Sequence, residues 1–421
     1  MMKENMKPSG IEWIGEIPES WEVKRIKYCA EICNGGEYKD IEIEEGGYPV
    51  IGSGGEFARA NKFCYSGKSV LLGRKGTVDK PLYIDGSFWC VDTMFYTKMK
   101  SITNAKYFYY CSLLIRFDYY MTSTALPSMT QRDLGSEKIF MPPLSEQTRI
   151  ANYLDKQCGK IDSIIADLEK QIEILGQYKK SLITETVTRG LDKTVPLKDS
   201  GIEWIGKIPE HWEVKRMQDV GTYKKGPFGS SITLDMFVDK DETTIKIYEQ
   251  KNAIQSDATL GWYYISYADY TNLRDFEVFS GDIIVSCAGT MGKCYIMPEN
   301  IEKGIINQAL MKITLLDTMN KKYFLFLFNI ALEFMTDKYS NGSAIKNIPP
   351  FSVLKKENIP LPSFEEQTQI ANYLDKQCSK IDSIIESKKE QLAKITEHKK
   401  SLIYEYVTGK KRVKGELNYG N

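Results

Sequence analysis

The sequence has little histidine, no net charge and no apolar run of membrane-spanning length. It contains 56 Lys+Arg and 56 Asp+Glu among 421 residues, so any affinity for nucleic acid must come from local basic patches. The most apolar stretch, residues 323–335, is short and contains Asn329 and Glu333, which predicts a buried helix instead of a membrane span. The N-terminal residues lack the apolar segment of a signal peptide, so we expect a cytoplasmic protein.

Patterns for metal binding are also missing. Cys29 and Cys33 form a C-x3-C pair, but no second pair stands at metal-ligand spacing. We therefore expect the nine cysteines to be reduced thiols and no metal site. The two histidines, His211 and His398, do not recur in the other copy of the repeat described below, which argues against general acid–base catalysis through histidine.

The sequence contains no complete copy of three catalytic motifs. No G-x-x-x-x-G-K-[ST] loop is present, so ATP hydrolysis is not expected in this chain. The nearest string to the adenine methyltransferase motif [DN]-P-P-[YF] is NIPPF at residues 347–351, which Ile348 interrupts. Glu-x-Lys occurs at residues 22–24 and 213–215, but no further carboxylate completes a nuclease metal site. We therefore predict no catalytic residue.

What the sequence does contain is a pair of internal repeats. SGIEWIGEIPESWEVKR at residues 9–25 returns as SGIEWIGKIPEHWEVKR at residues 200–216, and EQTRIANYLDKQCGKIDSII at 146–165 returns as EQTQIANYLDKQCSKIDSII at 366–385. The offsets are 200 − 9 = 191 and 366 − 146 = 220, so the second half carries 220 − 191 = 29 extra residues between its constant segments. The chain therefore consists of two halves with one plan.

The second repeat opens a long helical pattern in each half. Apolar residues recur with a period of 3.5, which predicts a coiled-coil seam along helices at about 146–188 and 366–408. Ser363 and Glu366 form a capping box for the second helix. Two seams in one chain most simply pair antiparallel, and a self-associating dimerisation helix is the alternative. The seam residues are Leu154, Ile161, Ile165, Leu168, Ile172, Leu175 and Leu182 in the first helix and Leu374, Ile381, Ile385, Leu392, Ile395 and Leu402 in the second.

The regions between the constant segments, about 26–144 and 217–364, are rich in aromatic, β-branched and glycine residues with short strand-like runs. The fold class is therefore α+β: two globular mixed α/β domains separated by two long antiparallel coiled-coil helices, with a pseudo-twofold internal repeat. The expected divisions are a first domain at 1–144, a helix at 145–190, a second domain at 191–364, a helix at 365–410 and a tail at 411–421.

This order of constant and variable segments resembles the specificity subunit of Type I restriction-modification systems. The resemblance rests on PPLSEQTRIANYLD and its copy PSFEEQTQIANYLD, on IEWIGEIPESWEVKR, and on the domain ending ALPSMTQRDL. It implies two target-recognition domains, each binding one half of a bipartite asymmetric DNA sequence. It also implies that this chain directs adenine methylation and cleavage by partner subunits. The duplicated segments would then meet identical partners or each other, and the divergent ones different half-sites.

The resemblance also implies the partners and cofactors. The partners would be double-stranded DNA, two methyltransferase subunits and restriction/translocase subunits, with no membrane. No cofactor is expected in this chain, since S-adenosylmethionine would belong to the modification subunits and ATP with Mg2+ to the restriction subunits. Two alternatives stay open: a coiled-coil adaptor without DNA binding, and a DNA methyltransferase or nuclease in its own right.

DNA contacts require cationic and amide groups at loop tips. In the first domain the loops at 52–62, 73–77 and 122–132 supply such groups, and in the second the loops at 223–231, 288–293 and 339–347. An ordinary solvated loop is the alternative for each. The candidate DNA-binding residues are Arg59, Arg74, Lys75, Thr77, Gln131, Arg132, Lys224, Lys225, Lys293, Asn341, Ser343, Lys346 and Asn347.

Overall fold

The computed structural model describes residues 5–12, 14–117, 128–288, 290–339 and 351–413. The chain divides into two units. Unit 1 comprises Met1–Lys170 and Lys388–Asn421, and unit 2 comprises Gln171–Ser387. Each of the two long helices therefore contributes one part to each unit.

Unit 1 is built mainly of β-structure. Its strands are β1 (Met6–Pro8), β2 (Glu16–Pro18), β3 (Glu22–Arg25), β4 (Ala30–Asn34), β5 (Glu42–Ile43), β6 (Tyr48–Gly52), β7 (Gly55–Ala60), β8 (Tyr65–Gly73), β9 (Leu82–Cys90), β10 (Met94–Met99) and β11 (Lys138–Met141). Its short helices are α1 (Ala105–Ser112) and α2 (Gln131–Ser136), and the long helix α3 (Leu144–Arg189) begins in it.

Unit 2 is also composed of short strands and helices, and among the described residues it has more helices than unit 1. Its strands are β12 (Leu197–Asp199), β13 (Lys207–Pro209), β14 (Glu213–Arg216), β15 (Gly221–Lys225), β16 (Phe237–Val238), β17 (Ile245–Tyr248), β18 (Tyr264–Ile265), β19 (Glu277–Val278), β20 (Ile283–Ser286), β21 (Cys294–Ile296), β22 (Gly304–Ile306), β23 (Leu310–Leu315) and β24 (Asn358–Leu361). Its helices are α4 (Gln250–Gln255), α5 (Tyr267–Leu273), α6 (Lys321–Tyr339), α7 (Phe351–Leu354) and the beginning of the long helix α8 (Phe364–Val407).

The main sheets of both units combine antiparallel strand pairs with one parallel pair. In unit 1 the order is β4-β10-β8-β9-β6-β7-β5, with β6 parallel to β9 and the other pairs antiparallel. In unit 2 the strands form β15-β23-β20-β21 and β16-β18-β17-β22-β19, with β17 parallel to β22. Within the long β8–β9 strand pair, Gly67 and Gly86 lie opposite each other with φ of 133° and 134°, a conformation that favours glycine. The strands β8 and β9 of unit 1 are thus longer than any described strand of unit 2.

The helical seam is buried as its period requires. Every seam residue of α3 and α8 is buried or half-buried. In unit 1 the rings of Tyr153 and Tyr406 lie 4.5 Å apart and Lys399 bonds Asp162 at 2.5 Å. Because the partner number falls from 406 to 399 as the α3 number rises from 153 to 162, these helix parts are antiparallel.

Unit 2 has the corresponding arrangement. Lys179 bonds Asp382 at 2.6 Å, and the C-terminal part of α3 packs with the first turns of α8 around Val187 and Leu374. The α3 and α8 parts are therefore antiparallel here too. Lys179 and Asp382 are the repeat counterparts of Lys399 and Asp162, since 399 − 179 and 382 − 162 both equal 220.

The buried glutamine that occurs in both repeats, Gln147 in unit 1 and Gln367 in unit 2, forms corresponding hydrogen bonds in the two units. Gln147 is 1% exposed, accepts from the backbone N of Asn104 and donates to the carbonyl of Pro142. Gln367 is likewise 1% exposed and bonds the same two groups of Asn320 and Pro362. A buried amide needs such partners because an unsatisfied polar group in a core costs about 1–3 kcal/mol. The repeat is thus explained in large part by contacts inside each unit.

Among the described residues, no helix is both long and apolar enough to cross a membrane.

Candidate nucleic-acid interface

A tight turn between two strands recurs in both units, and the backbone hydrogen bonds around its two copies are the same. The first turn, residues 91–94 (VDTM), connects β9 to β10, and the second turn, residues 307–310 (NQAL), connects β22 to β23. Within them, the N–H of Met94 donates to the carbonyl of Val91 at 3.1 Å and that of Leu310 to Asn307 at 3.2 Å.

Three further backbone bonds hold each turn in the same way. The first turn accepts from the N–H groups of Gly35 and Arg74 and donates to the carbonyl of Ile51. The second turn accepts from the N–H groups of Gly226 and Cys287 and donates to the carbonyl of Tyr248. A Cβ on Gly35 or Gly226 would stand 1.9 Å from the carbonyl oxygen of Val91 or Asn307, so this close approach requires glycine at both positions.

A cleft lies against each turn. The first cleft has a volume of about 410 Å³ and is lined by the turn, by the β6–β7 hairpin and by Tyr38. The second cleft has a volume of about 510 Å³ and is lined by the second turn, residues 229–237, Glu249 and Tyr263. Each contains an aromatic pair: Tyr38 with Phe57 at 5.3 Å between ring centroids, and Phe237 with Tyr263 at 4.7 Å. The framework repeats, whereas the lining side chains differ.

Two of the six candidates of unit 1, Arg74 and Lys75, contact the first turn through their backbone N–H groups, which both donate to the carbonyl of Thr93. The guanidinium of Arg74 donates to the carbonyl of Asp92 at 3.1 Å, and Lys75 is exposed beside it. The backbone of Lys75 pairs with that of Ser128, which places the start of α2 beside this loop. The first two residues of α2, Gln131 and Arg132, are exposed, and Gln131 donates to the carbonyl of Ile32.

The other two candidates of unit 1 are placed differently. Thr77 is exposed three residues beyond Arg74, in the same loop. Arg59 lies on β7 and pairs with Glu56 at 2.9 Å, away from the hairpin turn that lines the first cleft. An exposed ion pair of this kind is worth about 0–1 kcal/mol, so it restrains the guanidinium only weakly.

In unit 2 the described candidates lie around the second turn. Lys225 is exposed and directly precedes Gly226, while Lys293 is exposed where its carbonyl accepts from the N–H of Ser286. Lys224 pairs with Asp275 at 3.1 Å, so part of its charge is already matched. The candidates Asn341, Ser343, Lys346 and Asn347 lie outside the described residues.

Sequence reasoning missed the turn residues themselves. Asp92 and Gln308 stand at corresponding positions, both exposed, and neither side chain forms a hydrogen bond or ion pair within the described part of the chain. A signal existed: NAKYF at 104–108 and NKKYF at 320–324 are offset by 216 residues, and that offset aligns Asp92 with Gln308.

Two thiols in the described part of the chain, Cys287 and Cys294, lie near the second turn and are not activated as nucleophiles. Burial raises the pKa of the Cys287 thiol to about 11, although the charge of Lys225 acts in the opposite direction. Burial also raises the pKa of Cys294 to about 12. Both thiols are therefore neutral near pH 7, and a neutral thiol is a poor nucleophile. Among the described residues, no group of three or more His, Cys, Asp or Glu side chains could hold a metal ion.

A second duplicated surface lies on the long helices. Residues 156, 160, 163 and 164 of α3 share one helical face, and they are exposed like their counterparts 376, 380, 383 and 384 of α8. Ile164 and Ile384 are each 47% exposed. We name this surface the KKSI face in each helix, after Lys156, Lys160, Ser163 and Ile164. Its residues are identical in both copies, yet burial inside the units does not explain them.

The two units thus carry different side chains on the same exposed turn of one repeated backbone framework. The family model described as the Type I restriction modification DNA specificity domain matches residues 18–174 and 209–397, and the chain belongs to this family. It is a DNA-specificity subunit of the Type I class and not itself an enzyme. The resemblance identified from the repeats is thereby confirmed, as is the predicted α+β fold class.

Similar proteins cover nearly the whole chain. The Type I restriction enzyme MjaVIII specificity subunit of Methanocaldococcus jannaschii is 28% identical, over 96% of this chain and 95% of its own length. The Type I restriction enzyme EcoBI specificity subunit of Escherichia coli is 23% identical, over 92% of this chain and 85% of its own. A solved structure from work on "complex assembly and conformational transition of the type I R-M system" has a TM-score of 0.67 at 14% identity, covering 93% of this chain and 99% of that one. This last likeness shows the fold.

Proposed function

We propose that the chain reads a bipartite asymmetric DNA target, with one half-site for each variable domain, and that it directs adenine methylation and cleavage by partner subunits. The observation that carries the proposal is the pair of turns: their backbone bonds are the same, while their exposed side chains differ. A shared scaffold with different tips suits two different base sequences, because base edges are read by side chains and amide groups.

The rims of the two turns supply groups for the DNA backbone. Lys75 and Arg132 in unit 1, and Lys225 and Lys293 in unit 2, are exposed cations near the turns. Phosphate contacts from such side chains position a protein on the duplex without selecting sequence. Arg59, Thr77, Gln131 and Lys224 remain candidates, as do the four residues at 341–347 that the structure does not describe.

The partners follow from the duplicated helical surface. Because the KKSI face is identical in both helices, it suits two copies of one partner, and we assign it to two methyltransferase subunits. S-adenosylmethionine would then belong to those subunits, and ATP with Mg2+ to the restriction/translocase subunits, so this chain needs no cofactor of its own. The complex would act in the cytoplasm, where it meets the host DNA.

Comparison of methylated adenines in host DNA with and without this chain tests the proposed function. Deletion should abolish methylation at one bipartite motif, and re-expression of the chain should restore it. The methyltransferase subunit is kept at its normal level, so that loss of the partner does not imitate loss of the chain. An unchanged methylome in the deletion strain would contradict the proposal.

The partner assignment has its own test. Ile164→Asp should reduce the methyltransferase subunits that co-purify with the chain from two copies to one, since a carboxylate on the KKSI face opposes an apolar contact. The double variant with Ile384→Asp should reduce them to none. Ile174→Asp is the matched control, because Ile174 is 49% exposed on the same helix but is not duplicated. Equal losses for Ile164→Asp and Ile174→Asp would refute the assignment.

A further inference from the structure

The turn residues Asp92 and Gln308 occupy one place in the repeated scaffold. Each is the second residue of its turn, and each follows a residue whose carbonyl closes the turn with a bond of 3.1–3.2 Å. Each side chain lines its cleft and is exposed. Because neither is engaged within the described part of the chain, both are available to an external ligand.

Their chemistry differs in a way that matches two different bases. A carboxylate only accepts hydrogen bonds, whereas a glutamine amide both donates and accepts. In the major groove, cytosine presents the N4 amino donor, and adenine presents the N6 amino donor beside the N7 acceptor. Asp92 therefore suits cytosine, and Gln308 suits adenine through two hydrogen bonds.

The surroundings of Asp92 favour a base contact over a phosphate contact. A carboxylate near phosphates is repelled by them, so an acidic residue at a DNA-facing turn needs a donor to offset that repulsion. Arg74 supplies positive charge next to the turn, with its guanidinium 3.1 Å from the backbone carbonyl of Asp92. Arg74 donates to the backbone carbonyl and not to the carboxylate, so the hydrogen-bond donor for the carboxylate would come from the base.

We infer that Asp92 and Gln308 are specificity-determining residues, with Asp92 accepting from cytosine N4 in the first half-site and Gln308 bonding N6 and N7 of adenine in the second. The inference rests on the proposed function and deepens it by naming one base and one reader in each half-site. It commits to readout through the major groove, because the minor groove does not present these patterns.

Two isosteric exchanges test the inference in opposite directions. Asp92→Asn should shift one base pair of the first half-site from cytosine towards adenine, because asparagine bonds N6 and N7 as glutamine does. Gln308→Glu should shift one base pair of the second half-site from adenine towards cytosine. The measurement is selection from randomised duplex DNA by the complex of the full chain with its methyltransferase subunits. Discrimination at the affected base pair should change by about 5- to 150-fold.

Matched controls separate base reading from general effects of charge. Asp85→Asn makes the same chemical change at an exposed position of β9, and Gln255→Glu does so at the end of α4; neither residue lines a cleft. Both controls should leave the selected motif unchanged. Asp92→Ala and Gln308→Ala should each relax one base pair without a new preference, which also covers the case in which an isosteric variant folds poorly.

The failures are distinguishable. A wild-type complex that selects no bipartite motif sinks the proposed function itself. A wild-type motif that stays unchanged in Asp92→Asn and Gln308→Glu overturns the assignment of these residues and leaves the function standing. A uniform loss of binding at all base pairs, or a change in the wrong half-site, overturns the assignment in the same way.

Discussion

Two buried tryptophans show how single residues hold the constant segments to the long helices. Trp21 and Trp212 are 0% and 1% exposed, and their indole N–H groups donate to Glu146 and Glu366, each at 3.2 Å. Both glutamates lie in the first turn of a long helix, where the helix dipole stabilises a negative charge. The indole hydrogen bond is common to both units, which explains why both copies of the repeat have tryptophan at this position.

The other side chains that contact these glutamates differ between the units. Arg412 contacts Glu146 at 2.6 Å, and His211 contacts Glu366 at 2.8 Å. The counterpart of His211 in the first repeat is Ser20. His211 is thus a local partner of the Glu366 carboxylate.

Trp21→Phe should destabilise unit 1 by about 1–3 kcal/mol, because it removes the indole donor and leaves a buried carboxylate oxygen of Glu146 without that bond. Urea unfolding followed by circular dichroism measures the effect. Trp262→Phe is the control, since Trp262 is 76% exposed, and it should change the midpoint little. Similar shifts for both variants would contradict the role given to the Trp21 bond.

The Glu366 contacts predict a sensitivity to acid. Burial raises the pKa of Glu366, whereas hydrogen bonds from His211, Trp212 and Ser363 lower it. The hydrogen bonds together outweigh burial, so the pKa of Glu366 lies below its ordinary value. A lowered pKa in the folded state means that the charged form stabilises the fold above the unfolded-state pKa of about 4.3, and that this stability is lost as the pH falls through the folded-state pKa.

Glu366→Gln should therefore be less stable than the wild type at neutral pH, and the difference should shrink below about pH 4. Thermal unfolding of both proteins from pH 3 to pH 7 measures this difference. Glu365→Gln, one residue away, is the control. A difference that grows as the pH falls would show that the charge of Glu366 opposes folding.

At the scale of elements, magnitudes decide what holds α3 to α8. The symmetric ion pairs Lys179–Asp382 and Lys399–Asp162 include aspartates that are 56% and 54% exposed, and such pairs contribute about 0–1 kcal/mol. The seam leucines Leu154 and Leu374 are 0% exposed, and truncation of a buried leucine costs about 2–5 kcal/mol. The apolar seam therefore dominates the stability of this helix pair.

Leu374→Ala should accordingly lower the stability of unit 2 by about 2–5 kcal/mol, whereas Asp382→Asn should lower it by no more than about 1 kcal/mol. Denaturant midpoints of the two variants in the same buffer provide the comparison. Raising the salt concentration should reduce the effect of Asp382→Asn but not that of Leu374→Ala, because salt screens exposed charges. The opposite ranking would mean that electrostatics dominates this helix pair.

How far the sequence predicts each element depends on how local its cause is. The sequence predicts helices at 146–188 and 366–408, and the structure has them at Leu144–Arg189 and Phe364–Val407, because a 3.5-residue period and a capping box are local signals. Strand pairing such as β6 with β9 joins residues about forty apart in the chain and leaves no local period to read. The turns at Asp92 and Gln308 depend on that pairing, so their importance emerged only from the structure.

At the scale of the whole molecule, each variable region, which we call a module (residues 26–137 and 217–357), is connected to its constant segments in the same way. We call this connection the joint. In unit 1 the chain leaves β3 at Arg25 and returns at Lys138, its partner in the β3–β11 pair. In unit 2 it leaves at Arg216 and returns opposite it at Asn358. The N–H of Ile26 donates to Glu137 at 2.8 Å, and that of Met217 to Glu357 at 2.9 Å. Each module therefore begins and ends at adjacent backbone atoms.

This shared joint predicts that residues 217–357 can replace residues 26–137 of the same chain. The hybrid would carry two copies of the second module, and both half-sites of its methylated target should become the sequence that the second domain reads. The reason is that the joint is formed by backbone pairing, which does not depend on the side chains of either module. Methylome sequencing of cells that express the hybrid with the normal methyltransferase subunit gives the result.

The reciprocal hybrid, with residues 26–137 in place of 217–357, is the matched control and should duplicate the other half-site. If both hybrids methylate DNA but retain the original asymmetric target, the specificity does not reside in these modules. If a hybrid is inactive, its folding is checked by co-purification of the methyltransferase subunits, because the KKSI face lies outside both exchanged ranges. A folded, partner-bound hybrid that selects neither duplicated half-site would contradict the independence of the two domains.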